Sequence, residues 1–589
     1  MSLNHLDKIK LVCQFILVIG LFFLAPYLFA QENIPQENLS NLGDSQVIID
    51  STQIESFRVN KIQDVLNQVP GVSASSSSVA IHGSYKVRVY LDGTPLNDPT
   101  SSYGAINLDH ISLKSVDRVI IIKDAGGLKY GQDATGGVIL IYSKSFGEGT
   151  TTGQTRIWSG NNDTYHADAD VMISSGTWGL GFKGGYDRSE GYKINNDSER
   201  IRGGVKVAYN PAPEVGLTLS LESLNEESGL AGLPAFPTPY SRQRNQNLTV
   251  TLAAFYHNFE NTLYYNRGMV KNNDPTRNLD QSLNVTEFGE SFTYGFSPYS
   301  WGTLTVGAGF LGTMADSSDF GKKTEHVIHV FASQSLNLTN LPLSLNLGIR
   351  FNLNSGFQNS INPEFSVTYN NGRFLISYKI TRGVNTPSFQ ERYNHSASTL
   401  PNPNLGIEKA TNQSFTINYF PKENISLNTS LFFNNLEGRI TYVRPPLSGV
   451  GQYQNLGKTI YRGVDFGFNI KFKTLEIKGN YTYLEARDKD IDRFLTSQSR
   501  NSFNLEFFLN PEGKFSGVIR GAYQSKIYTD RFNTNFYGGR TLYSIRAEYN
   551  LSPLVFFVDG TNIFNKEYYY IDGLLAPPRT YFLGIKYNF

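Results

Sequence analysis

The chain has 589 residues and a formal net charge of +1, with only 17% charged residues set against 40 Phe, 35 Tyr and 54 Gly. That balance excludes the basic footprint of a nucleic-acid binder and favours extensive β-structure with a broad aromatic surface. The one cysteine, Cys13, excludes an internal disulfide and a cysteine metal cluster. Residues 1–30 carry Lys8 and Lys10, then an apolar run from Leu11 to Leu24, and close on Leu28-Phe29-Ala30 before polar Gln31-Glu32-Asn33. This predicts a secretory signal cut after Ala30, the alternative being a membrane anchor whose core could nearly span a bilayer. Cys13 sits too near the basic end for a lipoprotein site, so a processed chain would hold no thiol.

Residues 31–45 are polar and without period, a flexible lead. Gln46 to Asp50 reads as a short strand, and Lys61 to Gln68 has helical spacing in Ile62, Val65 and Leu66, closed by Pro70 and Gly71. Two β-branched runs, Val119 to Ile122 and Val138 to Tyr142, bracket a connection containing Gly126, Gly127, Gly131, Gly136 and Gly137. A phosphate-cradling loop is excluded there, because no Gly-Lys-Ser/Thr follows and the next segment is a strand without the helix start that would hold phosphate. The pattern breaks after Phe146, so a small α/β domain is expected over 46–146.

From 147 to 589 no long helix is suggested and two-residue alternation recurs. Leu341, Leu343, Leu345, Leu347, Ile349, Phe351 and Leu353 are apolar, with Pro342, Ser344, Asn346, Gly348, Arg350 and Asn352 between them. Similar runs occur at Leu217 to Leu221, Phe466 to Phe472, Leu475 to Tyr483, Phe515 to Tyr523, Tyr543 to Tyr549 and Tyr581 to Phe589. Their number, and the Tyr and Phe near their ends, fit the lipid-facing strands of a membrane barrel with aromatic girdles better than a soluble sandwich core. A barrel in lipid must close on itself, and roughly 440 residues at about 20 per strand and connection give about 22 antiparallel strands. Such a barrel is wide enough to house the preceding domain in its lumen.

The motifs add a resemblance. Val69-Pro70-Gly71-Val72, Ala80-Ile81-His82-Gly83, Val89-Tyr90-Leu91-Asp92-Gly93-Thr94-Pro95-Leu96-Asn97 and Leu128-Lys129-Tyr130-Gly131-Gln132-Asp133-Ala134-Thr135-Gly136-Gly137 resemble, in order, the plug motifs of TonB-dependent outer-membrane receptors. Thr386-Pro387-Ser388-Phe389-Gln390-Glu391-Arg392-Tyr393, Asn402 to Glu408, Asn455-Leu456-Gly457 and Arg462 to Asp465 are similar to their barrel motifs, as are Asp559 to Tyr568 and Pro578 through Phe589. The resemblance implies a bacterial outer-membrane transporter whose N-terminal plug is latched to the barrel by plug arginines on two barrel glutamates. Here those positions are His82 and Lys123, facing Glu408 and Asp465. Lysine offers a point charge where arginine offers a fork, and histidine is mostly neutral near its reference pKa of about 6.5.

In such receptors ligand is held by outward plug apices and long outer loops, which implicates Ser75, Ser76, Ser77 and Tyr103 in the plug. In the loop Asn225 to Asn245 it implicates Phe236, Tyr240 and Arg242, although these serines and prolines are also ordinary turn-formers. Asp187, Asn195, Asn196, Asp197 and Glu199 form an oxygen-rich stretch that reads either as a calcium patch or as a solvated turn. The segment that TonB would grip by strand addition is unassigned, since 31–45 carries no clear version of it. The expected function is import of a scarce metal chelate, an iron–siderophore complex or a cobalamin-like corrinoid, by a monomer working with TonB and its inner-membrane energising complex. No resident cofactor and no nucleic-acid partner is expected. The alternatives are a binding or adhesion protein that keeps the fold without transport, and a barrel enzyme, disfavoured because Gly-x-Ser-x-Gly and His-Glu-x-x-His are absent and the histidines are scattered.

Overall fold

The computed structural model describes residues 46–589 apart from 103, 124–126, 147–148, 300, 339–340, 397, 445–448 and 570–573. The expected signal and flexible lead therefore lie outside the described residues. The plug is a mixed five-stranded sheet in the order Gln46–Asp50, Val116–Ile122, Gly137–Ser143, Val87–Leu91, Thr94–Pro95. Val87–Leu91 runs parallel to Gly137–Ser143 and turns back antiparallel through Asp92 and Gly93. Both turn residues have positive φ, 48° and 85°, the conformation a tight hairpin requires and Asp-Gly supplies at low cost. Helices Ser51–Ser56 and Ile62–Leu66 cover the sheet, the first capped by the Asp50 side chain accepting from Gln53 N at 2.8 Å. Ile62, Val65, Leu66, Val89, Val119, Ile121 and Ile139 form a closed apolar core, joined by Phe508 and Val518 of the barrel.

The rest of the chain is one closed antiparallel barrel of 22 long strands, from Thr151–Gly160 to Thr580–Asn588, which pair to close the ring. The terminal residue completes the seam, Phe589 exchanging backbone hydrogen bonds with Gly153 at 2.7 and 2.9 Å. Alternation divides lipid from lumen as expected. On strand Leu343–Asn354 the outward Leu347, Ile349, Phe351 and Leu353 are exposed, while Arg350 is buried against the plug, donating to Leu128 O, and Asn352 is buried beside it. The closed ring leaves no edge strand, as lipid requires.

The two rims differ. One has short turns, such as 176–177, 213–214, 257–258 and 552–553, and beside it stand the stacked pairs Tyr299–Trp301, Phe374–Tyr419 and Phe515–Tyr549. Aromatic rings sit comfortably at the membrane–water boundary, and short turns mark the periplasmic side of such barrels. The opposite rim carries the longer connections and so faces outward, including 386–407 with the helix Phe389–Tyr393. The expected outer loop Asn225 to Asn245 is shorter than its sequence suggested. The strands Val215–Gly229 and Arg242–Tyr256 run into it, leaving 230–241 with a small hairpin of Gly232–Leu233 and Phe236–Pro237. Among the described residues no helix is long and apolar enough to cross a membrane.

Candidate functional site

The plug meets the wall at a buried charge cluster. Asp465, in the middle of strand Gly451–Lys471, has no exposed side-chain surface, and its Oδ2 takes both Lys123 Nζ and His82 Nε2 at 2.8 Å. Its Oδ1 accepts from Thr482 Oγ1 at 2.8 Å, and Thr482 accepts from Gly71 N at the same distance. The His82 ring lies flat on Phe432, with centroids 3.6 Å apart and planes 10° from parallel. Gly71 is required here: its φ is +77°, and a Cβ would stand 2.6 Å from the His82 ring and 2.9 Å from Asp465. The glycine of the Val-Pro-Gly-Val motif is thus the one residue that lets backbone pass beneath the histidine.

One carboxylate therefore serves both plug bases. Glu408, expected to share them, accepts instead from Asn385 Nδ2 at 2.7 Å and Ile440 N at 2.6 Å, which fixes the outer ends of three barrel strands.

Nearer the outer face is a second set of ties. Asp133 accepts from Arg88 at 3.0 Å and from Thr386 Oγ1 at 2.9 Å, and its own N–H donates to Val384 O at 2.8 Å. Thr135 Oγ1 donates to Asn385 at 2.9 Å. Beyond Thr386, Ser388 and Glu391 form a reciprocal capping box on the helix Phe389–Tyr393, and Gln390 N donates to Thr100 O on the plug apex at 3.1 Å. Arg392 is buried, pairs with Glu325 and lies over Phe389, so the helix is anchored to the wall as well as to the plug. Lys86 sits 3.8 Å from Glu391; burial opposes its charge, but Glu391, Glu408 and Asp133 outweigh that and hold the ammonium above its ordinary pKa. Sequence reading singled out neither Asp133 nor Thr386. Each lies in a quoted motif, but 253 residues separate them and nothing local reports the contact.

The residues read as ligand contacts do not form one cluster. Ser76 and Ser77 are exposed at a plug apex, their carbonyls held by Leu108 N and Ile106 N, while Ser75 folds back on Ser78, with N to O at 2.8 Å. Tyr103 lies outside the described residues. Phe236 and Tyr240 project into solvent from the outer loop, 75% and 61% exposed. Arg242 belongs to the framework, gripping both oxygens of Asp197 at 2.8 and 2.7 Å and reaching Glu227 at 3.4 Å.

The oxygen-rich stretch is likewise occupied. Asp187 pairs with Arg202 at 2.8 Å and with His166, Asn195 Nδ2 donates to Thr238 O and Ser241 O, and Glu199 accepts from Tyr186. Its acids are met by side-chain donors, and among the described residues no acidic or histidine cluster fit for a metal is found. Between the outward plug and the wall lies a narrow cleft with about 80 Å³ of space for water-sized molecules, lined by Tyr85, Lys86, Asp98, Leu311, Thr313 and Phe389 among others.

A stopper of this topology, filling a 22-stranded barrel and tied to it by buried charge, narrows the family, and comparison decides it. The family model described as TonB dependent receptor-like, beta-barrel matches residues 121–563, and that for the TonB-dependent Receptor Plug Domain matches residues 38–138. The chain belongs to the TonB-dependent receptors. As such it is an outer-membrane protein, a receptor and transporter by family and not an enzyme. The receptor is 21% identical over 587 residues to the vitamin B12 transporter BtuB of Photobacterium profundum, covering 92% of each chain. It is 29% identical to the BtuB of Vibrio vulnificus over 200 residues, 32% of this chain and 30% of that protein. In fold it is similar to the siderophore receptor PirA from Acinetobacter baumannii, with a TM-score of 0.79 at 14% identity, covering 95% of this chain and 100% of that one. The copper transporter OprC matches with a TM-score of 0.80, also at 14% identity, over 92% of the receptor and 98% of OprC.

Proposed function

We propose that the receptor binds a cobalamin-like corrinoid at its outer face and imports it when TonB, energised from the inner membrane, draws on the plug. The observation that carries the cargo is the end-to-end likeness to a vitamin B12 transporter, which covers 92% of each chain and so takes in both plug and barrel. The exposed Ser76 and Ser77 hydroxyls at the plug apex and the exposed rings of Phe236 and Tyr240 offer what a large amphipathic macrocycle needs: polar contacts for its amide fringe and flat apolar surface for its ring. The ties from Thr100 and Asp133 to the outer segment 386–393 give bound cargo a way to act on the plug. Asp465 with His82 and Lys123 is the latch that keeps the plug seated in the absence of pull. TonB would engage the lead before Gln46, where an extended segment can add a strand to its partner.

The test is growth on cyanocobalamin as sole corrinoid in a corrinoid-requiring host without its own receptor. Expression of this chain should restore growth only where TonB is present. Growth on ferric siderophores instead would move the cargo to the iron class, and surface binding without growth on either would make the chain a non-transporting binder.

A further inference from the structure

The plug is bonded to its wall unevenly. Side-chain ties reach it from strands on almost every side: Arg156 to Asn60 O, Arg202 to Asp109 O, Thr251 to Thr94, Arg350 to Leu128 O, Asp465 to Lys123 and Arg520 to Phe57 O. Among the described residues, three adjacent strands carry none, Leu279–Tyr299, Gly302–Ser317 and Gly321–Leu338. Nowhere else do three neighbours in the ring lack one. The cleft between plug and barrel lies against this same wall, with Leu311, Thr313 and Glu325 on the barrel side and Arg88, Asp98 and Gln132 on the plug side.

Beside the cleft is an unused acid. Glu287 is 1% exposed and makes no ion pair among the described residues. Its polar neighbours are the Thr313 and Asn266 side chains across the strands, and the charged plug groups nearest in effect are Arg88 and Asp98. A buried carboxylate without a counter-charge is costly, and proteins keep such groups where a second arrangement satisfies them. Arg88 is the guanidinium within electrostatic reach, and it is now held by Asp133 at 3.0 Å. Asp133 in turn is clipped to Thr386 of the outer segment. Any shift of that segment that carries Asp133 away frees Arg88 beside an acid that has no counter-charge.

We propose that the plug parts from the barrel along the wall Leu279–Leu338, Arg88 passing from Asp133 to Glu287 as it does so. The remaining wall stays bonded, so the passage opens on one side of a plug that keeps most of its contacts. Glu287 makes the parted state a discrete second arrangement, the kind of bistable element through which a distant site can act.

Thiol reactivity tests this without any cargo. In full-length receptor with Cys13→Ser, in outer-membrane vesicles, single cysteines are placed at Thr313 on the unbonded wall and at Ser430 on the bonded one. The two positions are matched in burial, 7% and 5% exposed. A small cationic methanethiosulfonate is the probe, and resistance of the barrel to SDS unfolding checks each variant. Thr313→Cys should react at least about ten-fold faster, because local opening sets access. Asp133→Asn should speed it further, and that gain should vanish when Glu287→Gln is added, the non-additivity expected of coupled groups. Equal rates at the two positions, or a faster Ser430→Cys, would overturn the choice of wall. No gain from Asp133→Asn, or the same gain with and without Glu287, would overturn the transfer of Arg88.

Discussion

At the scale of single residues, the proposed latch turns on Asp465, which takes both Lys123 and His82. Asp465→Asn would leave Lys123, 5% exposed at its side chain, as an unpaired buried cation, a change that typically costs about 3–5 kcal/mol. The expected outcome is a normally assembled barrel with a loosened plug, read as entry of large hydrophilic antibiotics that the wild type excludes. Lys123→Ala should do the same more mildly, since His82 and Thr482 still satisfy the acid. Unchanged permeability in both would remove the latch.

Lys114, in the plug, is a contrasting case. Burial is the chief influence on it, with Glu55 no closer than 3.9 Å, and the amine falls to about 8. A lysine depressed on folding destabilises the folded plug wherever it must carry its charge. The penalty is complete below about pH 8 and is relieved as pH rises toward the unfolded value of about 10.4. Lys114→Met should therefore raise plug stability at pH 7 and change it little above pH 10.5, measured by hydrogen exchange of the plug amides.

At the scale of elements, the barrel's lipid face was open to reading and its lumen face was not. Leu341 to Leu353 announces a strand because a period of two is a local property, and the exposed Leu347, Ile349 and Phe351 lie where that period puts them. Ile349→Arg, near mid-strand, should cost about 2–4 kcal/mol of barrel stability, detectable as a lower denaturant midpoint for refolding into vesicles. The latch was half legible: motif order pointed to His82, Lys123 and Asp465, but which acid takes which base depends on register between segments 342 residues apart. Glu408 matched a motif and was spent on Asn385 and a backbone amide. Arg242 read as a ligand contact because its partner Asp197 lies on the neighbouring loop, and Glu287 gave no signal, being one acid in a polar strand.

The outer helix Phe389–Tyr393 is legible as Ser-x-x-Glu, and Ser388→Ala should cost about 1 kcal/mol of local stability. The expected readout is roughly five-fold faster amide exchange at Gln390 to Tyr393 with the barrel unaffected. Unaltered exchange would mean that Arg392 and the Gln390–Thr100 bond hold the helix without the cap.

At the scale of the whole molecule, a 22-stranded ring closed by a folded stopper has the parts of a valve. On the proposed function the ring answers to lipid, the outer loops to cargo and the segment before Gln46 to TonB. Strand addition depends on backbone N–H groups, which proline removes. A proline scan across Glu37 to Ser45 should accordingly abolish uptake at one or two positions while surface binding survives; normal transport by every variant would place the TonB contact elsewhere.

Active import itself is tested most directly by following radiolabelled cyanocobalamin in cells that express the receptor, separating surface-bound from internal label with TonB present and deleted. Equal surface binding in both strains, with internal label accumulating only where TonB is present, is the predicted result. Internal label that accumulates equally without TonB, or surface binding that never leads to accumulation, would contradict it.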